Sequence, residues 1–402
     1  MAVWDDLVGQ ERVVAQLTAA ARDADAYVSA AAADEPAALS GSAMTHAWLL
    51  TGPPGSGRST TARAFAAALQ CVSPDRALGG APGCGFCEGC HTSLVGTHAD
   101  VEVVRTELLS IGVGQTRDLV RRAQLSPAGG RWQVIVLEDA DRLTEGAGNV
   151  LLKAVEEPAP RTVWLLCAPS TEDVLPTIRS RCRTLILRTP PVDAVADLLI
   201  RRDGVEPEAA HHAARATQGH IGRARRLATD ERARARRAAV LRLPQRVTDV
   251  GDALKSAQEL IDAATDDAKQ LAEELNAKET EDLRAALGGG EGKRMPRGTA
   301  GAMKELEDRQ KRRATRTQRD SLDLALTDLT AFYRDVLARQ LGSSVALADD
   351  ETGDTVRRIA GSSRPEQTLR RIEAVLACRE ALDRNVAPML AVEAMTMALR
   401  AG

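Results

Sequence analysis

Three clusters of residue types in this sequence can do chemistry, and each demands a particular backbone beneath it. The first is Gly52-Pro-Pro-Gly-Ser-Gly-Arg-Ser59, set between the apolar run 47–50 and the helical pattern 60–69. Glycines at Gly52, Gly55 and Gly57 let backbone N–H groups curl around a phosphate. The helix that follows contributes its positive end, and the Ser59 hydroxyl, with Thr60 beside it, is placed to ligate Mg²⁺. Position 58 is Arg where such a loop demands Lys, and a planar guanidinium fork directs its donors differently from a compact ammonium. The same residues also serve as a tight strand-to-helix turn that holds no nucleotide.

A phosphate loop of this kind needs an apolar strand ending in an acid for the metal, followed by a second acid for the attacking water. Residues 134–137 supply the strand, and Glu138, Asp139 and Asp141 supply the acids. The usual order is Asp then Glu, and here it is reversed. Each ligand is therefore displaced by about one methylene, where a 1 Å misplacement can cost about 100-fold in rate. Both departures predict weak or absent ATP/Mg²⁺ binding and lost hydrolysis.

The second cluster is Cys71, Cys84, Cys87 and Cys90, among Gly and Pro turns. This spacing suits a tetrahedral thiolate site, and four thiolates close the shell of a zinc ion. The predicted Zn²⁺ is structural rather than catalytic. His91 beside it reads as a solvated loop residue, and Cys167, Cys182 and Cys378 read as small core residues. The third cluster is Ser180-Arg181-Cys182, just before a short strand pattern. Taken alone, Arg181 there reads as a helix-terminal residue bonding local carbonyls.

The elements that must position these residues are legible as texture. Short apolar runs at 46–50, 100–104, 133–137, 162–166 and 184–187 alternate with helical patterns, which predicts an α/β unit with a mostly parallel sheet. The Ala/Ser-rich stretch 24–42 reads as an extended helix end or a surface insertion. After Pro190 and Pro191 the strand signals stop, and Val195, Leu198, Leu199, Ala213 and Ala216 recur at helical spacing. The stretch 288–301 is a flexible hinge by composition. Beyond it, Leu322, Leu326, Leu329, Tyr333, Val336 and Leu337 mark a long amphipathic helix, and 369–382 marks another.

Hydrophobic residues at 44% and charged residues at 27% exclude a disordered chain, and aromatics at 2% argue against stacking platforms for single strands. No stretch is apolar enough to span a membrane, and the first residues lack a charged-then-apolar leader, so a cytoplasmic protein is expected. The net charge of −3 conceals blocks of opposite sign. Residues 201–246 hold 12 Arg against 5 acids, 249–282 hold 11 acids against 3 Lys, and 293–319 hold 10 basic residues against 3 acids. Each block reads as the solvated face of a helix in a large assembly.

Taken together, these segments resemble the clamp-loader branch of the AAA+ proteins. The resemblance rests on Trp4-Asp-Asp-Leu-Val-Gly-Gln10, on the lead from His46 into the phosphate loop, and on the cysteine module after the loop helix. It rests also on Ile111, Gln115, Arg117 and Leu119, on Asp139-Ala-Asp-Arg-Leu-Thr144, on Asn149-Val-Leu-Leu-Lys-Ala-Val-Glu-Glu-Pro158, on 176–182, and on Asn385-Val-Ala-Pro-Met-Leu390. Coverage is good to about residue 230 and poor from 240 to 365.

The resemblance implies α/β plus all-α architecture. A RecA-like AAA+ domain with a zinc module would span 1–189, a helical lid 190–246, and a helical collar with a charged insertion (249–319) 247–402. It further implies a stator subunit, with an impaired nucleotide site of its own and an SRC arginine, Arg181, reaching in trans to ATP on a neighbour. Ser170 falls at the sensor-one position, whereas Gly219-His-Ile-Gly222 departs from the lid pattern and leaves Arg223 in doubt as a sensor. The implied partners are the loader's ATPase subunits and its delta subunit, and indirectly the sliding clamp and primed DNA at the replisome, with no membrane. The chain itself would be neither a polymerase nor an efficient ATPase. The rival readings are an active ATPase of the same branch using Arg58, and a zinc nucleic-acid-binding module on a relict ATPase fold. The second is weakened by the few aromatics and by the lack of a basic cluster inside the cysteine loop.

Overall fold

The computed structural model describes residues 2–33, 42–78, 80–106, 108–129, 131–286, 300–345, 347–348 and 350–401. The chain divides into two compact units, one of Met1–Ala214 with Gln218–Arg225, the other of Arg215–Thr217 with Arg226–Gly402.

The first unit runs α1 (Glu11–Ala32), β1 (Ala47–Thr51), α2 (Arg58–Leu69), α3 (Glu88–Val95), β2 (Val101–Val104), α4 (Val113–Ala123), β3 (Gln133–Leu137), α5 (Glu145–Glu156), β4 (Thr162–Ala168), α6 (Pro176–Arg179) and β5 (Arg183–Ile186). Helices α7 (Val192–Asp203), α8 (Pro207–Ala216) and α9 (Ile221–Thr229) follow. The five strands form one parallel sheet in the order β2-β3-β4-β1-β5. All five runs expected to be strands are strands, shifted by at most two residues at their ends.

β1, β3 and β4 are buried along their whole length, as strands covered on both faces must be. Alternation sends Trp48, Leu50, Val134, Val136, Leu165 and Cys167 to one face, against Phe65 and the alanines of α2. Leu49, Ile135, Leu137, Trp164 and Leu166 go to the other, with Leu119, Leu151 and Ile178. The small residues of α2 let that helix lie close on the sheet, which places the loop ahead of it at the carboxyl ends of β1 and β4. Of the Ala/Ser-rich stretch, 24–32 completes α1 as an extended helix end, and 34–41 lie outside the described residues.

The second unit is helical throughout: α10 (Glu231–Arg246), α11 (Val250–Ala286), α12 (Ala300–Gln340), α13 (Gly353–Ser362), α14 (Pro365–Asp383) and α15 (Pro388–Ala401). Its core joins Leu260 and Ile261 of α11 to Leu322, Leu326, Leu329, Tyr333 and Val336 of α12, with Val375 and Val392 from the last two helices. The hinge expected at 288–301 falls mainly on 287–299, outside the described residues. An α/β unit followed by an all-α unit is the architecture that the sequence texture and the resemblance called for.

The charge blocks are largely solvated, as expected, but several of their members also pair across helices. Arg313 on α12 is buried and grips Glu279 on α11 with both ends of its fork, at 2.9 and 2.6 Å, and also reaches the Asn276 side chain. Arg236 pairs with Asp267 at 2.9 Å and Arg246 with Glu259 at 2.7 Å. Blocks of opposite sign therefore neutralise one another within this unit.

The Arg313 hydrogen bonds hold the Glu279 carboxyl below its ordinary pKa. A carboxylate depressed in the folded state contributes stability above its unfolded pKa of about 4.3, and that contribution is lost as pH falls through the folded value. Arg313→Ala is expected to lower stability by about 2 kcal/mol, less than the roughly 3–5 lost when a fully buried pair is broken, because Glu279 keeps some solvent contact. Denaturant titrations at pH 7 and pH 3 test this: the gap between wild type and variant should be large at the first pH and shrink at the second.

Candidate functional site

The phosphate loop has the backbone its glycines were expected to provide. Gly55 and Gly57 hold φ of 85° and 90°, in the left-handed region, and Gly57 caps α2. Gly52 donates its N–H to the Pro169 carbonyl, which brings the end of β4 and Ser170 beside the loop. Ser170 itself accepts from the Glu172 N–H and donates its own N–H to Asp173, closing a turn. Ser59 is partly covered and Thr60 is exposed at the start of α2.

The side chains around this cradle are already engaged with one another. Arg58 turns back on its own loop and donates to the Gly52 carbonyl at 2.5 Å, and burial lowers its pKa. Glu138, at the end of β3, sits almost wholly buried against Arg63 of α2, whose Nε and Nη2 lie 2.9 and 2.8 Å from one carboxylate oxygen. Asp139 accepts the Thr106 N–H at 3.0 Å, while burial raises the Asp141 pKa. His220 lies on Gly55, where a Cβ would stand 2.3 Å from the His220 ring. Burial, with the charges of Arg223 and Arg58, pushes His220 down to about 4, so its ring is neutral at pH 7. The Arg223 N–H points at His220 Nδ1.

A Mg²⁺-nucleotide does not fit this donor set. Its metal acid is held by an internal arginine, its lysine substitute bonds the loop, and a histidine ring rests on the loop glycine. The backbone is a phosphate cradle, whereas Arg58, Glu138 and Asp139 are engaged within the domain, and the buried Ser56 and Thr61 hydroxyls are left without a hydrogen-bond partner.

The four cysteines do converge. Their sulfurs all lie within 4.8 Å of one another, with Cys84–Cys90 at 4.0 Å and Cys71–Cys87 at 3.9 Å. A tetrahedron of about 2.3 Å metal–sulfur bonds has edges of about 3.8 Å, so the arrangement fits a closed thiolate shell. Backbone N–H groups of Val72 and Cys87 donate to Cys87 Sγ and Cys84 Sγ at 3.3 Å, which orients the ligands. Cys71 is pushed down to about 4 by a side-chain hydrogen bond with Cys90, whose own pKa is raised. Gly89 is obligatory at the base of the module, because a Cβ there would meet the Gln70 carbonyl at 1.9 Å. His91 is exposed on α3, outside the four-thiol group. Cys167 and Cys378 are buried and Cys182 is partly buried against the core of its unit.

Arg181 is exposed just past α6, at the edge of the sheet. It donates to the Thr177 carbonyl at 2.8 Å and to Ser180 Oγ at 3.2 Å, and pairs with Glu156 at the end of α5. Its neighbours are tied elsewhere: Arg179 to the Thr171 carbonyl, Arg183 to the Ala43 carbonyl and over the Trp48 ring. The three neighbouring arginines thus have separate partners.

Sequence reasoning passed over Gln10, Arg63, Glu156 and His220 as individual residues. Gln10 is buried, donates to the Ser56 and Arg188 carbonyls at 3.2 and 2.6 Å and accepts the Arg188 N–H, so it fastens the phosphate loop to the strand-end segment. Gln10, Glu156 and His220 lie inside motifs already singled out; nothing in the spacing marks Arg63.

Residues 36–191 match the family model described as DNA polymerase III, delta subunit. The chain is 41% identical over 165 residues to the delta' subunit of DNA polymerase III from Pseudomonas aeruginosa, covering 40% of this chain and 49% of that protein. It is 33% identical over 181 residues to the delta' subunit from Escherichia coli, covering 44% and 53%. With the gamma/tau subunit from Mycobacterium tuberculosis it shares 32% identity over 201 residues, half of this chain and 31% of that one. The matched region spans about half the length of these delta' relatives and about a third of the gamma/tau relative. Among the described residues, no helix is long and apolar enough to cross a membrane.

The cysteine geometry carries an expectation of its own. Metal removal by a strong chelator, or Cys84→Ser, should destabilise the first unit by several kcal/mol, since binding to a closed thiolate site contributes on the order of 10 kcal/mol. Elemental analysis of purified protein paired with thermal melts checks it; an unchanged melting temperature after complete metal loss would contradict a structural metal.

Proposed function

We propose that this chain is a delta prime-type stator subunit of a DNA polymerase III clamp loader, acting at the replisome in the cytoplasm. It supplies Arg181 to the ATP of a neighbouring subunit while the complex loads the sliding clamp on primed DNA. The observation that carries the reading is the contrast between the two arginines. Arg58, in the chain's own phosphate loop, is partly buried and bonded to Gly52, whereas Arg181 is exposed at the domain edge, held by a solvent-exposed ion pair with Glu156 and a bond to the Thr177 carbonyl. The delta' and gamma/tau relatives support the complex to which the chain is assigned.

In this reading a RecA-like domain with its zinc module (1–189), a lid (190–246) and a collar (247–402) form the subunit. Zn²⁺ on Cys71, Cys84, Cys87 and Cys90 is structural, locking the connection from α2 to β2. Gly52, Gly55, Gly57, Arg58, Ser59, Thr60, Glu138, Asp139 and Ser170 form a relict nucleotide site, and no catalytic step passes through it. The partners are the ATPase subunits and delta, with the clamp and primed DNA engaged through the assembly.

Arg181 does its work as a charge. A guanidinium placed against a γ-phosphate offsets the charge that develops as the phosphoryl group leaves, and such fingers contribute about 10³ to 10⁵ in rate. The similarity to gamma/tau favours a second reading, an active ATPase using Arg58. In that case the isolated chain would turn over ATP, and Ser59→Ala would abolish it.

Reconstitution with the other loader subunits tests the proposal. Arg181→Ala should assemble normally, silence ATP hydrolysis at one site of the complex and impair clamp loading, while Arg179→Ala and Arg183→Ala should leave hydrolysis near wild type. Normal turnover and loading by a complex shown to contain the Arg181 variant would refute the role.

A further inference from the structure

We infer that Glu156 is a positioning residue for Arg181: it holds the guanidinium folded back on its own domain until a neighbour's phosphate takes it. The inference rests on the arginine-finger reading above and adds to it a second residue with a separable effect.

Helix α5 ends at Glu156, where a carboxylate meets the negative end of the helix dipole and a cation is correspondingly favoured. Arg181 is that cation. Its Nη2 meets Glu156, and its Nη1 bonds back to the Thr177 carbonyl four residues earlier. This conformation directs the side chain along α6 rather than away from the domain.

The juxtaposition is built into the packing. Gly148 of α5 lies against α6 so closely that a Cβ there would stand 2.2 Å from Leu175 Cδ1, and fully buried Ile178 anchors α6 on the same helix. Thr144 fixes the other end of α5 by accepting the Ala147 N–H. Both partners of the ion pair are more than a third exposed, with relative side-chain areas of 37% and 36%, so the latch is weak. A phosphate offers the same fork charge-assisted hydrogen bonds and outcompetes it.

A parked finger lowers the fraction of subunits ready to receive nucleotide at the neighbouring site, and apparent affinity falls by that fraction. The transition state, in which Arg181 has already left Glu156, is unaffected. Arg181 has left Glu156 in the nucleotide-engaged complex as well as in the transition state, so removing the latch lowers KM and leaves kcat alone, the mark of an interaction confined to the site before nucleotide is engaged.

The test uses the reconstituted complex with ATP as the probe. Glu156→Gln should lower KM for ATP roughly two- to fivefold at unchanged kcat, and Glu156→Asp should restore part of the wild-type value. An unchanged KM, or a fall in kcat, overturns the inference. Arg181→Ala in the same assay separates the two ideas: if it leaves turnover intact, the finger reading fails by itself. The isolated chain then still decides on Glu156, through nitrogen NMR of the Arg181 guanidinium. Distinct Nη signals in wild type that merge by free rotation in Glu156→Gln support the latch. Identical spectra in the two proteins refute it.

Discussion

A carboxylate at the end of a buried strand must be neutralised by something, and at the end of β3 Arg63 does so from within the same domain. Glu138 is longer by one methylene than the Asp that a phosphate-loop protein uses to hold its metal, and that length lets it reach α2. Once the guanidinium is there, a divalent cation would have to displace a charge-assisted hydrogen bond from a nearly buried carboxylate. Arg58 on Gly52 and the neutral His220 ring on Gly55 continue the same logic. The loop has kept the backbone of a nucleotide site and uses its side chains to hold itself together.

The four-cysteine module and the N-terminal segment are tied to the same loop. Val3 donates its N–H to the Gly83 carbonyl and Trp4 its ring N–H to Pro82, so the first residues are pinned to the cysteine loop. Gln10, a few residues on, is bonded to Ser56 in the phosphate loop. Cysteine module, N-terminal segment and loop thus form one continuous chain of contacts on one side of the sheet, while Arg181 and Glu156 lie off α6 and α5. In the helical unit three acids of α11, Glu259, Asp267 and Glu279, are met by arginines of α10 and α12.

Periodicity and composition read the strands well because a parallel sheet buried on both faces must be written in continuous apolar runs such as Gln133–Leu137. Cysteine spacing read the thiol cluster well because four ligands around one point leave few alternatives. The phosphate loop was legible as backbone, through its glycines, and its impairment was legible as two departures from pattern. The agents of that impairment were not. Arg63 lies 75 positions from Glu138, and His220 lies 165 from Gly55, so only the fold brings them together. The charge blocks were legible in sign and largely in exposure, whereas their pairs across helices were not, since a helix that pairs with its neighbour and a helix that faces water carry the same composition.

The central claim is that this chain gives a guanidinium to its assembly and binds no nucleotide through its own loop. Equilibrium binding of ATP to the isolated chain, with and without Mg²⁺, tests it most directly. The account predicts no saturable binding up to millimolar ATP and no effect of the metal. Saturable, Mg²⁺-dependent binding that Glu138→Gln abolishes would contradict it, because Glu138 would then be holding a metal ion rather than Arg63.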